Sequence, residues 1–289
     1  MRFKIDGVSY EILEKHDFGW LRDYGTVFCV FDRQDSGNIA FGIERDGVKK
    51  LVKFAGAKTL RYSGKPEDAV ARLKDAALLY VELSHPHLVR LEDHFAVDGG
   101  YALVFDWFDG ECLHMPDEFP PPKKYTDPNS PFFRFRQLSA EKRLDALECI
   151  FKFHALAEKK GYVAVDFYDG SILYDFKTNS TRICDIDFYQ KKPFFNSMGR
   201  MWGSSRFMSP EEFELGAPID SQTNVFNMGA AAFVLLGGEL DRSFSKWQAS
   251  ANLYEVALKA VENERAARYS TVEEFFDAWK KARGNDLQT

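Results

Sequence analysis

Three features are scarce in this sequence: cysteine, long apolar runs and clusters of basic charge. The four cysteines (Cys29, Cys112, Cys149 and Cys184) are far apart without Cys-x-x-Cys spacing, which argues against a zinc site or a disulfide framework. The longest apolar run, GAAAFVLLGG at 229–238, is too short to span a bilayer, so no membrane span is predicted. Basic residues occur in pairs at most and the net charge is −6, which argues against a nucleic-acid-binding face. The first ten residues contain no apolar signal core, and a cytoplasmic location is therefore predicted.

What is present divides the chain into a β-rich first part and a helical second part. Strand-like segments at 25–32, 39–47 and 48–56 precede a helix that begins at Pro66, and two more strands follow, joined by an Asp-Gly-Gly turn. After residue 138 the pattern is mainly helical, with Ser139 as the expected N-cap of a long helix. We predict an α+β protein with an N-terminal extension (1–24), a β-rich N-lobe with one helix (25–105) and a helical C-lobe (106–289) that carries a proline-rich loop (114–137).

Three polar residues interrupt or end strands in a way that suggests chemistry. Lys53 lies inside the apolar strand LVKF, whereas Asp166 ends YVAVDF and Asp185 lies in RICDIDF. An ammonium group neutralises phosphate oxygens, one carboxylate holds a hard cation and another accepts a hydroxyl proton. The hypothesis requires these three side chains to face one another. Each residue alone also has an ordinary explanation, because strand lysines extend to solvent and an aspartate after a strand caps a turn.

The order and spacing of these residues resemble those of the protein kinase superfamily, specifically the eukaryotic-type Ser/Thr kinases, from about Phe31 to Arg283. The segments that carry the resemblance are SHPHLVRLEDHF (84–95), YALVFDWFDGECL (101–113), VAVDFYDGSIL (163–173), CDIDF (184–188) and GSSRFMSPEEF (203–213). The last one is similar to the Gly-Thr-x-x-Tyr-x-Ala-Pro-Glu end of an activation segment. The resemblance therefore implies a kinase-like bilobal fold.

The resemblance also implies a set of site residues. Asp166 takes the place of the catalytic base, Lys53 that of the phosphate-binding lysine, and Ser204 that of a hydroxyl that bonds the base. The implied cofactors are ATP and Mg²⁺, with Mn²⁺ as an alternative, and the implied metal ligands are Asp185, Ser171 and Asp187. The implied nucleotide contacts are Gly37, Ile39, Leu51, Lys53, Asp106, Phe108, Glu111 and Leu173. Glu211 is expected to pair with Arg268, and Asn224 replaces the aspartate that usually begins the central helix.

Several positions depart from the kinase pattern. Asp32 and Gln34 replace the first two glycines of the phosphate loop, so that only Gly37 remains. Glycines let backbone N–H groups approach phosphates closely, and an aspartate adds charge of the wrong sign. In the second part, the His-Arg before the base is Ala164-Val165, the catalytic-loop lysine is Tyr168, the asparagine is Ser171, and Asp187 replaces the glycine after the metal-binding aspartate.

The acid expected to hold Lys53 is also displaced. Counting back from the His-Pro-His segment places Ala76 at its position, and Asp75 is one residue away, a rotation of about 100° on a helix. Either a one-residue shift restores the pair or Lys53 is held in another way.

Three functions remain open on the sequence alone. The first is an ATP- and Mg²⁺-dependent phosphotransferase that acts on Ser/Thr hydroxyls of an unidentified protein, because Lys53, Asp166 and Asp185 are all retained. The second is a pseudokinase that serves as a nucleotide-binding or scaffold module, as the degenerate phosphate loop suggests. The third is a small-molecule kinase, against which the GSSRFMSPEEF segment argues.

Overall fold

A computed structural model describes residues 1–286, which divide into two compact units, Met1–Asp109 and a second unit that begins at Gly110. The first unit is rich in β-structure and the second is mainly helical. The predicted α+β class is therefore confirmed, and this arrangement of elements is compatible with a kinase-like fold. No helix within residues 1–286 is both long enough and apolar enough to cross a membrane.

The first unit contains seven strands and one long helix. In chain order they are β1 (Arg2–Ile5), β2 (Val8–Glu11), β3 (Thr26–Phe31), β4 (Asn38–Arg45), β5 (Val48–Ala55), α1 (Pro66–Glu82), β6 (Leu91–Val97) and β7 (Gly100–Asp106). β1 and β2 form a hairpin, and the others form an antiparallel sheet in the order β3-β4-β5-β7-β6. Three hairpins turn at an Asp-Gly pair whose aspartate has positive φ, as tight turns between antiparallel strands require; the aspartates are Asp6, Asp46 and Asp98.

The two faces of this five-stranded sheet have different neighbours. Successive side chains of a strand point to opposite faces, so Phe41 and Phe54 lie on one face and Lys53 on the other. The first face packs into a core that includes Tyr10, Ile12, Phe18 and Leu21. Residues 1–24, predicted as a separate extension, are thus part of the core of the first unit. Apolar residues alternate with polar ones along both strands of the N-terminal hairpin, which is the pattern of a half-buried strand.

The second unit contains the remaining strands and six helices within the described residues. In chain order they are β8 (Glu111–Cys112), α2 (Lys123–Thr126), α3 (Pro131–Arg136), α4 (Ala140–Lys159), β9 (Tyr162–Val163), β10 (Ile172–Asp175), β11 (Ser180–Ile183), β12 (Gln190–Lys191), β13 (Phe194–Phe195), β14 (Pro218–Ile219), α5 (Ser221–Leu236), α6 (Ala251–Ala260) and α7 (Val272–Asp286). The strands form small antiparallel sheets: β11-β10-β8, β12-β9 and β13-β14. Ser139 caps α4 as predicted, by accepting a hydrogen bond from the Lys142 N–H at 3.5 Å.

The proline-rich segment 114–137 is more ordered than the predicted loop. It contains α2 and α3, and Ser130 caps α3 with Pro131 at the first helical position. Phe132 and Phe135 are buried within the second unit, against Tyr125 and Tyr174 respectively. The sequence did not indicate these helices, because each is only one or two turns long and lies among prolines.

Candidate active site

Lys53 lies in the middle of the five-stranded sheet of the first unit. On β5 it is directly opposite Ala40 of β4 and Leu103 of β7, and only 6% of its surface is exposed. Leu51, two residues earlier, shares its face and is half-buried. A buried lysine is unusual, because most lysines on strands extend their ammonium group to solvent.

Ile39, a predicted nucleotide contact, does not share the face of Lys53 and Leu51, two other predicted contacts. It pairs with Phe54 across the two strands and is fully buried in the core that contains the N-terminal hairpin. The position on β4 that shares the face of Lys53 is Ala40. The error is one of register, because a shift of one residue moves a side chain to the opposite face.

The helix α1 presents alanine where the kinase pattern has an acid. Ala76 is fully buried, as are Leu73 and Ala77 on the same side of the helix. Asp75 is exposed, which does not support a one-residue shift that would bring it to Lys53. Tyr80 of this helix packs edge-on against Phe105 of β7, with ring centroids 4.8 Å apart.

The loop between β3 and β4, the predicted phosphate loop, is attached to its neighbours. The Asp32 carboxylate accepts a hydrogen bond from the backbone N–H of Glu11, at 2.6 Å, and the Arg72 guanidinium of α1 donates to the Ser36 carbonyl. Gly37 has φ +82°, and a Cβ there would lie 2.7 Å from the Tyr62 ring. The loop is thus joined to the N-terminal hairpin and to α1, and Asp32 has a structural role that its sequence position did not indicate.

Replacing Asp32 with glycine is therefore expected to destabilise the protein by about 2 kcal/mol, because a hydrogen bond to a charged group is lost and glycine adds disorder to the unfolded chain. The effect is measured as a shift in the urea midpoint. Asp35→Gly, at an exposed position of the same loop, is the matched control; it adds the same disorder to the unfolded chain and should destabilise by less than about 1 kcal/mol. Unchanged stability together with tighter ATP binding by Asp32→Gly would contradict this role and support a loop that covers phosphates.

The predicted adenine- and ribose-binding acids are both engaged by arginines. In the first unit, Arg90 Nε lies 2.5 Å from the Asp106 carboxylate, and this hydrogen bond lowers the pKa of Asp106. In the second unit, Arg134 is hydrogen-bonded to Glu111. Phe108 is half-buried in the first unit, and Leu173, opposite Cys112 on β10, is half-buried in the second.

Asp166 and Asp185 of the second unit share an uncommon backbone conformation. Their φ angles are 64° and 55°, in the left-handed region that only a few per cent of non-glycine residues adopt. Burial raises the pKa of the Tyr168 hydroxyl well above its usual value, and the negative charges of Asp166 and Asp185 raise it further. Burial also raises the pKa of the Tyr189 hydroxyl, and the two carboxylates add to that effect. Asp166 and Asp185 therefore act electrostatically on the same two buried phenols.

The backbone around Asp166 is held by a buried amide. Asn224, near the start of α5, accepts a hydrogen bond from the Ala164 N–H and donates one to the Tyr162 carbonyl, each at 2.9 Å. Asparagine can thus satisfy one donor and one acceptor of the strand that leads to Asp166. A Cβ placed on Gly203 would lie 3.7 Å from the Cα of Asp166, so the segment that contains Ser204 passes beside it.

The predicted metal ligands of the second unit differ in how they are satisfied. Ser171 is 1% exposed and its hydroxyl has no hydrogen-bond partner within the part of the chain that the structure describes. An orphaned buried hydroxyl fits a polar ligand that supplies the missing contact. Asp187 is also buried. Residues 1–286 contain no group of three or more His, Cys, Asp or Glu side chains suited to a metal. A Mg²⁺ ion therefore fits only with water or phosphate oxygens as further ligands, which is the usual way that proteins bind it.

Asp169 is a buried carboxylate whose role the sequence did not reveal. It is fully buried and lies 2.5 Å from Lys124 Nζ of α2, while the guanidinium nitrogens of Arg206 approach it to 2.8 and 2.9 Å. Burial raises the pKa of Asp169, but the hydrogen bonds and charge of Arg206 outweigh it, and the net pKa is lowered. Arg206 Nε also donates to the Ser204 hydroxyl at 3.2 Å. One carboxylate thus joins α2, the Asp166 loop and the Ser204 segment.

Glu211 confirms the predicted pairing with Arg268. The pair is bidentate: Arg268 Nη1 lies 2.7 Å from Glu211 Oε1, and Nη2 lies 3.1 Å from Oε2. The Arg268 side chain is fully buried. Burial raises the pKa of Glu211, but the hydrogen bonds and charge of Arg268 reverse the effect and lower it. Ser209 is the N-cap of the short helix Pro210–Phe213, and its hydroxyl donates a hydrogen bond to the Glu212 carboxylate at 2.9 Å.

The sequence has a distant kinase relative. It is 22% identical over 191 residues to the probable serine/threonine-protein kinase PknB of Lactococcus lactis, a match that covers 65% of this chain and 28% of that kinase. This chain therefore spans little more than a quarter of the relative's length. No protein-family model matches the chain. This similarity supports a distant relation between the chain and kinases.

Proposed function

We propose that this chain is a kinase-like protein that uses ATP and Mg²⁺ to phosphorylate a hydroxyl group of a protein. The observation that carries the proposal is the left-handed backbone of both Asp166 and Asp185, two aspartates whose charges act on the same two buried tyrosine hydroxyls. Such backbone strain persists where the surrounding structure imposes it, and it clusters at functional sites. The distant similarity to a Ser/Thr kinase supports the same reaction class.

The proposal assigns a separate task to each residue. Asp166 would accept the proton of the attacking hydroxyl as its oxygen bonds to the γ-phosphorus, and the bond to the β–γ bridging oxygen breaks to leave ADP. Asp185 and the Ser171 hydroxyl would together hold Mg²⁺, and the ion would neutralise phosphate charge. Lys53 would bind phosphate oxygens, and its burial would strengthen that charge interaction.

A second candidate, a nucleotide-binding or scaffold pseudokinase, is favoured by a different observation. Asp32 and Ser36 attach the predicted phosphate loop to the N-terminal hairpin and to α1, and the buried Ala76 occupies the position of the acid that the kinase pattern has on this helix. The attachment of the loop weakens the binding of phosphates by its backbone N–H groups. Binding without transfer would distinguish this candidate from the first.

Nucleotide binding is tested by thermal and urea denaturation with ATP. Millimolar ATP with Mg²⁺ is expected to stabilise the protein by about 1–3 kcal/mol, and removal of Mg²⁺ with EDTA should remove most of that effect. Lys53→Met and Asp185→Asn should each abolish the stabilisation. Lys58→Met is the matched control, since Lys58 is half-exposed and pairs with Glu14. The absence of any stabilisation by ATP and Mg²⁺ would contradict both candidates that bind nucleotide.

A further inference from the structure

An exposed apolar strip lies on the second unit, formed by residues 194–202 and 212–218. Five large apolar side chains in these two segments are exposed: Phe195 (69%), Met198 (47%), Trp202 (54%), Phe213 (43%) and Leu215 (70%). A single exposed apolar residue is ordinary, but a concentration of this kind in two adjoining segments is typical of a binding surface.

The exposure of this apolar strip is built into the fold. The two segments are joined by backbone hydrogen bonds from Asn196 to Ala217, from Gly216 to Asn196 and from Met201 to Glu212, at 2.7–2.9 Å. Strand alternation turns Phe194 toward a core that contains Met201 and Ile219, and Phe195 therefore points outward. The outward residues cannot turn into this core without separating the hydrogen-bonded segments.

The charge around the strip has one dominant sign. Residues 188–202 contain Lys191, Lys192 and Arg200 but no acid, although the whole chain has a net charge of −6. The Arg200 guanidinium is exposed, donates to the Met201 and Gly203 carbonyls, and lies 5.8 Å from the centre of the Phe213 ring. In 203–218, Glu211 and Glu212 are buried and Glu214 is the one exposed acid. The strip thus combines apolar side chains with local positive charge.

We infer that the apolar strip binds a segment of another protein that carries large apolar side chains among acidic residues. Tryptophan, phenylalanine, methionine and arginine are the residues enriched at protein interfaces, and positive charge selects an acidic partner. The strip runs directly into Gly203, which lies beside Asp166. A segment bound there would be close to the proposed base. The binding itself does not depend on phosphoryl transfer, so the inference is tested without nucleotide.

The test uses three fluorescein-labelled peptides of about fifteen residues and the full chain, with binding followed by anisotropy. The first peptide has Leu and Phe residues spaced among Glu and Gly, the second has Lys in place of Glu, and the third has Ser in place of Leu and Phe. Only the first is expected to bind. Trp202→Ala should weaken its binding at least about tenfold, as loss of a central aromatic contact does. Arg200→Glu should weaken it and favour the second peptide.

Control variants and outcomes are matched to the strip. Leu240→Ala removes an exposed apolar side chain elsewhere in the second unit, and Lys142→Glu reverses an exposed charge on α4; neither should alter binding. The inference is overturned if the first peptide does not bind, or binds Trp202→Ala and the wild type equally. It is also overturned if sedimentation shows a dimer that Trp202→Ala dissociates, or if anionic vesicles bind and the peptide does not.

Discussion

Replacing Glu211 with alanine is expected to reduce the free energy of unfolding by about 3–5 kcal/mol, because it leaves a buried guanidinium without its counter-charge. The Arg268 side chain is fully buried, and it also donates hydrogen bonds to the backbone carbonyls of Glu262, Gln222 and Asn263. Those carbonyls satisfy hydrogen bonds but do not neutralise the charge. Arg265, which also pairs with Glu211 at 2.7 Å, is partly exposed and can turn to solvent.

The measurement is the shift of the urea midpoint at unchanged slope. Glu214→Ala, three residues later and exposed, is the matched control and should change the free energy of unfolding by less than about 0.5 kcal/mol. If the pair acts as a unit, Glu211→Gln combined with Arg268→Met should destabilise less than the sum of the two single changes. Equal small effects from Glu211→Ala and Glu214→Ala would show that this buried pair does not anchor the segment.

The Glu211–Arg268 pair was predictable because each of its two residues lies in a short motif that identifies it. The 57 positions between them in sequence therefore do not obscure the pairing. The same holds for the helix starts at Ser139 and Ser209, where capping chemistry is local. The hairpins at the Asp-Gly turns are local for the same reason. In each case, the interacting residues are either neighbours in sequence or belong to a motif with recognisable order.

The features that sequence reasoning missed depend on contacts between distant, unremarkable residues. Lys124 lies in a proline-rich stretch, and nothing near it in sequence indicates that it meets Asp169, 45 positions later. An acid at Asp169 was visible beside Tyr168, but its burial between two cations is a property of packing. Ile39 was assigned to the wrong face because motif alignment does not determine register to one residue.

Replacing Asp166 with asparagine is expected to reduce phosphoryl transfer to a generic basic protein by about a hundredfold to ten-thousandfold, the contribution of a positioned general base. Asparagine is the informative substitution because it has nearly the same shape and adopts positive φ more readily than alanine, and Asp166 has φ 64°. The fold should therefore persist, and stabilisation by ATP and Mg²⁺ should remain. Transfer is measured with γ-labelled ATP.

Asp277→Asn makes the same chemical change at an exposed position of α7 and should leave transfer unaltered. Equal transfer by Asp166→Asn and the wild type would mean that another base or a contaminating kinase is responsible. If both proteins are stabilised by ATP and Mg²⁺ but neither transfers phosphate, the pseudokinase candidate is correct. The binding contribution of Asp185 and Lys53 would then be retained without the proton transfer assigned to Asp166. Binding and transfer are separated in this way because different residues carry them.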